Sequence, residues 1–168
     1  MKPGAFALVV AAATVMAPTA PAHATFVPDV SMAGVALGTS DVDVLADLGR
    51  PTTTVVRQRP TGPVTKRYYA GPKVTFEFSS SNPTEIEVVT GIVTRRGIER
   101  TRGGTGVGTT ERRLRATLRR VRCRNLISLR ICSTPPRRKG ARTGRNQTIF
   151  TISRTTRRIT RISIERLS

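Results

Sequence analysis

The chain has no tryptophan, one histidine, two cysteines and only 10 Asp+Glu against 29 Lys+Arg in 168 residues. Each shortage excludes something. The histidine, His23, lies in an expected leader peptide, and its removal leaves no imidazole for a Ser-His-Asp triad, a Cys-His pair or a histidine metal site. The cysteines have a C-x8-C spacing with no second pair, which is not a zinc signature. No apolar run reaches the roughly 20 residues that a membrane helix needs. Sustained heptads are absent, which excludes a long coiled coil. The chain is too short for a TIM barrel or a two-domain enzyme. Ser79, Ser80 and Ser81 have no activating base and no S-x-x-K motif. The glycine-rich stretch 103–110 lacks the lysine of a phosphate loop and reads as a linker running into a helix cap. These absences point to a non-enzymatic protein with no cofactor and no metal.

The first 24 residues have the plan of a secretory signal peptide. Lys2 supplies the positive end, residues 5–16 a short apolar core, Pro18 a break, and Ala22-His23-Ala24 a small-x-small cleavage site. The expected location is therefore secreted or extracytoplasmic, with no transmembrane span in the mature chain. In an oxidising compartment Cys123 and Cys132 are expected to form a disulfide, contributing about 2–3 kcal/mol through loop closure.

The remaining chain repeats at an offset of 70 residues. Gly38-Thr39-Ser40-Asp41 matches Gly108-Thr109-Thr110-Glu111; Val44, Ala46 and Leu48 match Leu114, Ala116 and Leu118; Val89-Thr90 and Ile92 match Ile159-Thr160 and Ile162. In each copy a hydroxyl caps the free N–H groups of a helix and an acid faces its positive end. The first helix should stop at Gly49 and Pro51, and the second should span 111–122. Strands are expected at 65–69, 73–78 and 85–94, and again at 126–132, 148–153 and 159–165, with 154–158 as a hairpin turn. Residues 135–145 read as a basic loop. The layout is a leader (1–24), a near-neutral first unit (25–97), a glycine-rich linker (98–108) and a strongly basic second unit (109–168). The expected fold class is α+β: two tandem helix-plus-antiparallel-sheet units sharing or abutting one sheet.

The motif from Gly38-Thr39-Ser40-Asp41 through Leu45 and Leu48-Gly49-Arg50-Pro51 resembles the opening of the SmpA/OmlA (BamE-like) envelope modules. Its tandem form is similar to the β-lactamase-inhibitor-protein-like fold. The resemblance implies a non-catalytic bacterial binding or assembly module with helices on one face of a sheet. The turn 79–84 sits where a partner-probing hairpin would lie, but it has no acidic tip, so no β-lactamase inhibition is carried over. Arg119 stands where the family's helix-ending glycine would be.

Charge is divided unevenly. Residues 25–97 hold eight Lys/Arg and seven Asp/Glu, whereas 98–168 hold twenty against three. Candidate anion-binding residues are Arg112, Arg113, Arg115, Arg119, Arg120, Arg122 and Arg124 around the second helix, and Arg137, Arg138, Lys139, Arg142 and Arg145 in the basic loop. Phe150 is the one aromatic residue of the basic unit, so a stacking platform for single strands is missing. No helix-turn-helix, zinc-finger or RRM signature is present, and dedicated nucleic-acid binding is not expected. The expected function is a monomeric, secreted, non-catalytic binding module with a protein partner. The alternative is electrostatic binding of anionic wall polymer, membrane surface or nucleic acid through the second unit.

Overall fold

Both helix caps form where the repeated motif places them. In the computed structural model, which describes residues 26–60, 62–80, 85–139 and 143–167, α1 spans Asp41–Leu48 and α2 spans Glu111–Thr117. The Ser40 hydroxyl accepts from Asp43 N–H and the Thr110 hydroxyl from Arg113 N–H. Gly49, at φ 73°, closes α1 with its N–H on the Leu45 carbonyl. α2 stops at Thr117 and does not reach residue 122. The Thr117 hydroxyl bonds back to the carbonyls of Arg113 and Leu114, a local alternative that weakens helix continuation. Arg120 then turns left-handed (φ 70°) and the chain leaves as a strand.

The strands are β1 (Ser31–Met32), β2 (Val35–Ala36), β3 (Thr53–Arg59), β4 (Gly62–Tyr69), β5 (Val74–Ser79), β6 (Val88–Thr94), β7 (Arg122–Asn125), β8 (Arg130–Ser133), β9 (Arg137–Lys139), β10 (Thr143–Ile152) and β11 (Ile159–Leu167). β1 and β2 form a small hairpin. All the others join one antiparallel sheet in the order β3-β4-β5-β6-β11-β10-β8-β7, with β9 also paired to β10. Strand accounts for 49% and helix for 12%. The expected α+β class is therefore wrong: the described residues are mostly β, one large antiparallel sheet and a small hairpin with two short helices. The α+β expectation failed because it lengthened α2 and left out β3, an edge strand whose seven residues are all exposed. It also read 126–132 as strand where 126–129 is a turn, and 135–145 as loop where β9 and the start of β10 lie.

The sequence repeat survives as matched backbone bonds. Gly38 N–H bonds the Val89 carbonyl at 2.7 Å and Gly108 N–H the Ile159 carbonyl at 2.8 Å; Asp41 N–H bonds Glu87 and Glu111 N–H bonds Arg157. Each pair differs by the same 70 positions. The glycines sit at φ 90° and 88°, where a side chain would be strained. β6 and β11 meet so that Val93 faces Ser163, its own equivalent, and an approximate two-fold axis passes between them. Thr90 and Thr160 are the extra residues of matching bulges, and their hydroxyls bond the carbonyls of Glu77 and Thr151, each at 3.3 Å.

Alternation sends one face of the sheet inward. Val74, Phe76 and Phe78 of β5 and Phe150 and Ile152 of β10 are fully buried with Ile92, Ile162 and Ile164. Val44 of α1, Leu114 of α2, and Phe26, Met32 and Val35 of the N-terminal segment close this single core. Phe26 meets Phe150 edge-on at 6.2 Å.

Candidate functional site

Three surfaces gather side chains capable of binding. The first lies at the start of the helices. Beneath α1, Arg67 of β4 places one nitrogen 3.2 Å from Asp41 Oδ2 and 3.1 Å from Glu87 Oε2, with its guanidinium 4.7 Å from the centre of the Phe78 ring. Thr65 donates to the other oxygen of Glu87. Beneath α2 the polarity is reversed. The Glu111 carboxylate lies 3.1 Å from Arg115 Nε, 2.9 Å from Arg130 Nε and 3.6 Å from an Arg157 nitrogen. Burial pushes the Glu111 carboxyl up, but Arg130, by hydrogen bond and charge, and then Arg115 outweigh it and hold it below the usual carboxylate range. Arg112 joins these residues in lining a cleft of about 540 Å³. Three guanidinium groups thus meet one carboxylate, and Arg112 lines the cleft beside them.

The disulfide joins Cys123 and Cys132 directly across β7 and β8. Register shows what it replaces. Phe76 faces Arg67 on β4, and its counterpart Phe150 faces Cys132 on β8. The cystine therefore occupies the place of Arg67. Glu111 and the two sulfurs lie within 4.8 Å of one another. The sulfurs are bonded to each other and the carboxylate is held by arginines, so this trio has no free donor set for a metal.

Arg112 and Arg115 enter the Glu111 cleft. Arg119 and Arg120 line a second cleft of about 630 Å³ with Asp29, Leu118, Pro135 and Pro136. Arg120 and Arg122 border a third with Val121 and Pro135. Arg113, beside Gly104, faces the linker. Arg124 lies on β7, Arg137, Arg138 and Lys139 lie on β9, and Arg145 is exposed on β10. Arg142 and residues 81–84 of the expected probing turn lie outside the described residues. Arg130, Arg157 and Arg154 were missed, because strand and turn arginines show no helical clustering in the sequence.

The second surface is the outward face of the sheet, which no helix or strand among the described residues covers. Register aligns Thr53, Tyr68, Thr75, Val93, Ser163, Ile149, Ser133 and Arg122 in one row across all eight strands. Only its last member is charged. The row on one side contains the ion-paired Lys66 and Glu77, then Glu165; the row on the other contains Arg161 and Arg124.

The third is the β7–β8 turn, where Leu126 and Leu129 are about two-fifths exposed and Ile127 is 99% exposed. Elsewhere, Glu99 is fully buried. One of its oxygens accepts from Ala33 N–H, the other has no partner among the described residues, and burial raises its pKa against the effect of that bond.

No protein-family model, curated protein or solved structure matches the chain. Nothing in these comparisons identifies the SmpA/OmlA or β-lactamase-inhibitor-protein-like families. No helix among the described residues is long and apolar enough to cross a membrane.

Proposed function

We propose that this is a non-catalytic binding module acting outside the cytoplasm, and that it engages a protein partner on the outward face of its sheet. The observation that carries this reading is the uncharged row from Thr53 to Ser133 with charged rows on both sides. An apolar or neutral centre inside a polar rim is the usual anatomy of a protein interface. Tyr68, Val93 and Ile149 are half-buried in the row, set on rigid strands that need little ordering on association. The leader-like N-terminus and the Cys123–Cys132 disulfide support an oxidising location.

A second reading, electrostatic attachment to an anionic surface, is favoured by the Glu111 cleft, where four arginines outnumber one acid. The two readings separate by salt and by site. A photo-crosslinker at position 149 is expected to trap a partner at high salt. Val93→Glu should abolish that product, and Arg112→Glu with Arg115→Glu should leave it. A product lost with the arginine pair and kept in Val93→Glu would overturn the protein-partner reading, since polyanion contacts alone weaken steeply with salt.

A further inference from the structure

The β7–β8 hairpin combines features that neither the fold nor the sheet face uses. Its turn presents Leu126, Ile127 and Leu129 outward, and Ile127 touches almost nothing. Exposed apolar residues scattered singly are ordinary, but here three occupy four consecutive positions at a convex tip. The tip is also stiff. Leu126 N–H bonds the Leu129 carbonyl at 2.8 Å, Arg130 bonds the Asn125 side chain at 2.6 Å, and the Cys123–Cys132 bridge locks the strands just behind.

Arginines ring this tip. Arg124 and Arg130 flank it on the two strands. Arg154, from the turn between β10 and β11, bonds the Ile127 carbonyl at 3.0 Å. Arg157 from the same turn shares Glu111 with Arg130. Among the described residues Glu111 is the one carboxylate paired with this cluster, and it is already engaged. A rigid apolar point inside a cationic collar is complementary to an anionic bilayer, whose fluid interior closes round a convex tip without a preformed socket.

We propose that the β7–β8 hairpin docks the protein on anionic lipid. Leu126, Ile127 and Leu129 enter the boundary between headgroups and acyl chains, and Arg124, Arg154 and Arg157 contact lipid phosphates. The hairpin does not span the membrane. The proposal rests on the electrostatic reading above and narrows it, because a soluble polyanion offers arginine contacts but nothing for Ile127 to enter. The sheet face stays free for a partner while the tip is engaged.

The absence of tryptophan supplies the test. The oxidised Ile127→Trp variant carries a single indole at the tip and should fold unchanged, since Ile127 is fully exposed. On vesicles of phosphatidylglycerol with phosphatidylcholine its emission should shift to the blue and be quenched by brominated acyl chains. On phosphatidylcholine alone, or with polyphosphate, it should stay at the aqueous value. Ile127→Asp should weaken binding to the anionic vesicles about tenfold or more, and leave polyphosphate binding unchanged. Equal vesicle binding by the wild type and Ile127→Asp, with aqueous indole emission, would overturn the docking tip and leave the electrostatic reading standing. Binding to neither vesicles nor polyphosphate would overturn both.

Discussion

At the start of α1 a guanidinium sits between two carboxylates, and at the start of α2 a carboxylate sits among guanidinium groups. The backbone around them is the same, down to the bonds from Gly38 and Gly108 and from Asp41 and Glu111. Glu87 in the first half corresponds to Arg157 in the second, and Arg67 to Cys132. The fold therefore requires the cap and the strand it leans on, but not a particular sign of charge. In the first half the cation rises from the middle of β4. In the second half a disulfide fills that place, and the cations come from α2, the start of β8 and the turn after β10. Of these cations Arg115 and Arg157 reach well into solvent, whereas Arg130 is largely buried.

The comparison can be broken most severely in the core. Phe76 and Phe150 hold equivalent places in one shared interior, so Phe76→Ala and Phe150→Ala should each cost about 3–5 kcal/mol. Urea unfolding should remain a single transition in both. Two transitions, or a loss in only one variant, would show that the halves are stable independently.

Next in size is the bridge. Cys123→Ser with Cys132→Ser should lower stability by about 2–3 kcal/mol, measured as a shift in the urea midpoint. An unchanged midpoint would mean that the arginine-ringed Glu111 holds the second half unaided.

The two charge clusters should respond unequally. Arg67→Met brings Asp41 and Glu87 face to face without their cation, at a cost of about 2 kcal/mol, with part recovered in high salt. Glu111→Gln should cost about 1 kcal/mol, because Arg115 and Arg157 are largely in water. Since the folded protein depresses the Glu111 pKa, this contribution is present above the ordinary carboxylate range and is lost as pH falls through the lowered value. The gap between wild type and Glu111→Gln should close in strong acid, as read from midpoints across pH.

Glu99 should give the smallest effect, with the opposite sign. Its folded pKa is raised, so burying the charged form costs stability above that pKa and nothing below the unfolded value. Glu99→Gln should stabilise the protein at neutral pH by up to about 1 kcal/mol. The gain should fade as acid protonates the wild type, which thermal melts at neutral and acid pH would show.

Much of this was legible wherever local chemistry dominates. The two caps, the stop at Gly49, the alternation of Val74, Phe76 and Phe78, the turn at 154–158 and the paired cysteines all follow from neighbours in the chain. The offset of 70 residues exposed the internal kinship. Other parts depend on distant partners. β3 reads Thr-Thr-Val-Val-Arg-Gln-Arg, with no buried face to impose alternation, and forms because β4 offers it an edge. Leu118 and Val121 mimic a continuing helix stripe, yet Thr117 and the left-handed Arg120 end it. The Glu111 cluster draws on α2, β8 and the last turn at once, and no spacing along the chain announces that meeting. The sheet-face row likewise exists only through seven successive pairings.

The N-terminal segment is fastened at two places, to Glu99 and Arg100 by the N–H groups of Ala33 and Phe26 and to a more distant stretch around β10. The hydroxyls of Thr134 and Thr148 donate to Asp29 across separations of 105 and 119 residues, and Phe26 rests on Phe150. The first described stretch to be synthesised thus completes its contacts only after β10 exists. Contacts this distant in sequence slow folding. Until they close, Phe150 lacks the Phe26 ring that packs on it in the folded protein. A chain halted before β10 would leave Asp29 without the Thr148 hydroxyl and Phe26 without the ring of Phe150.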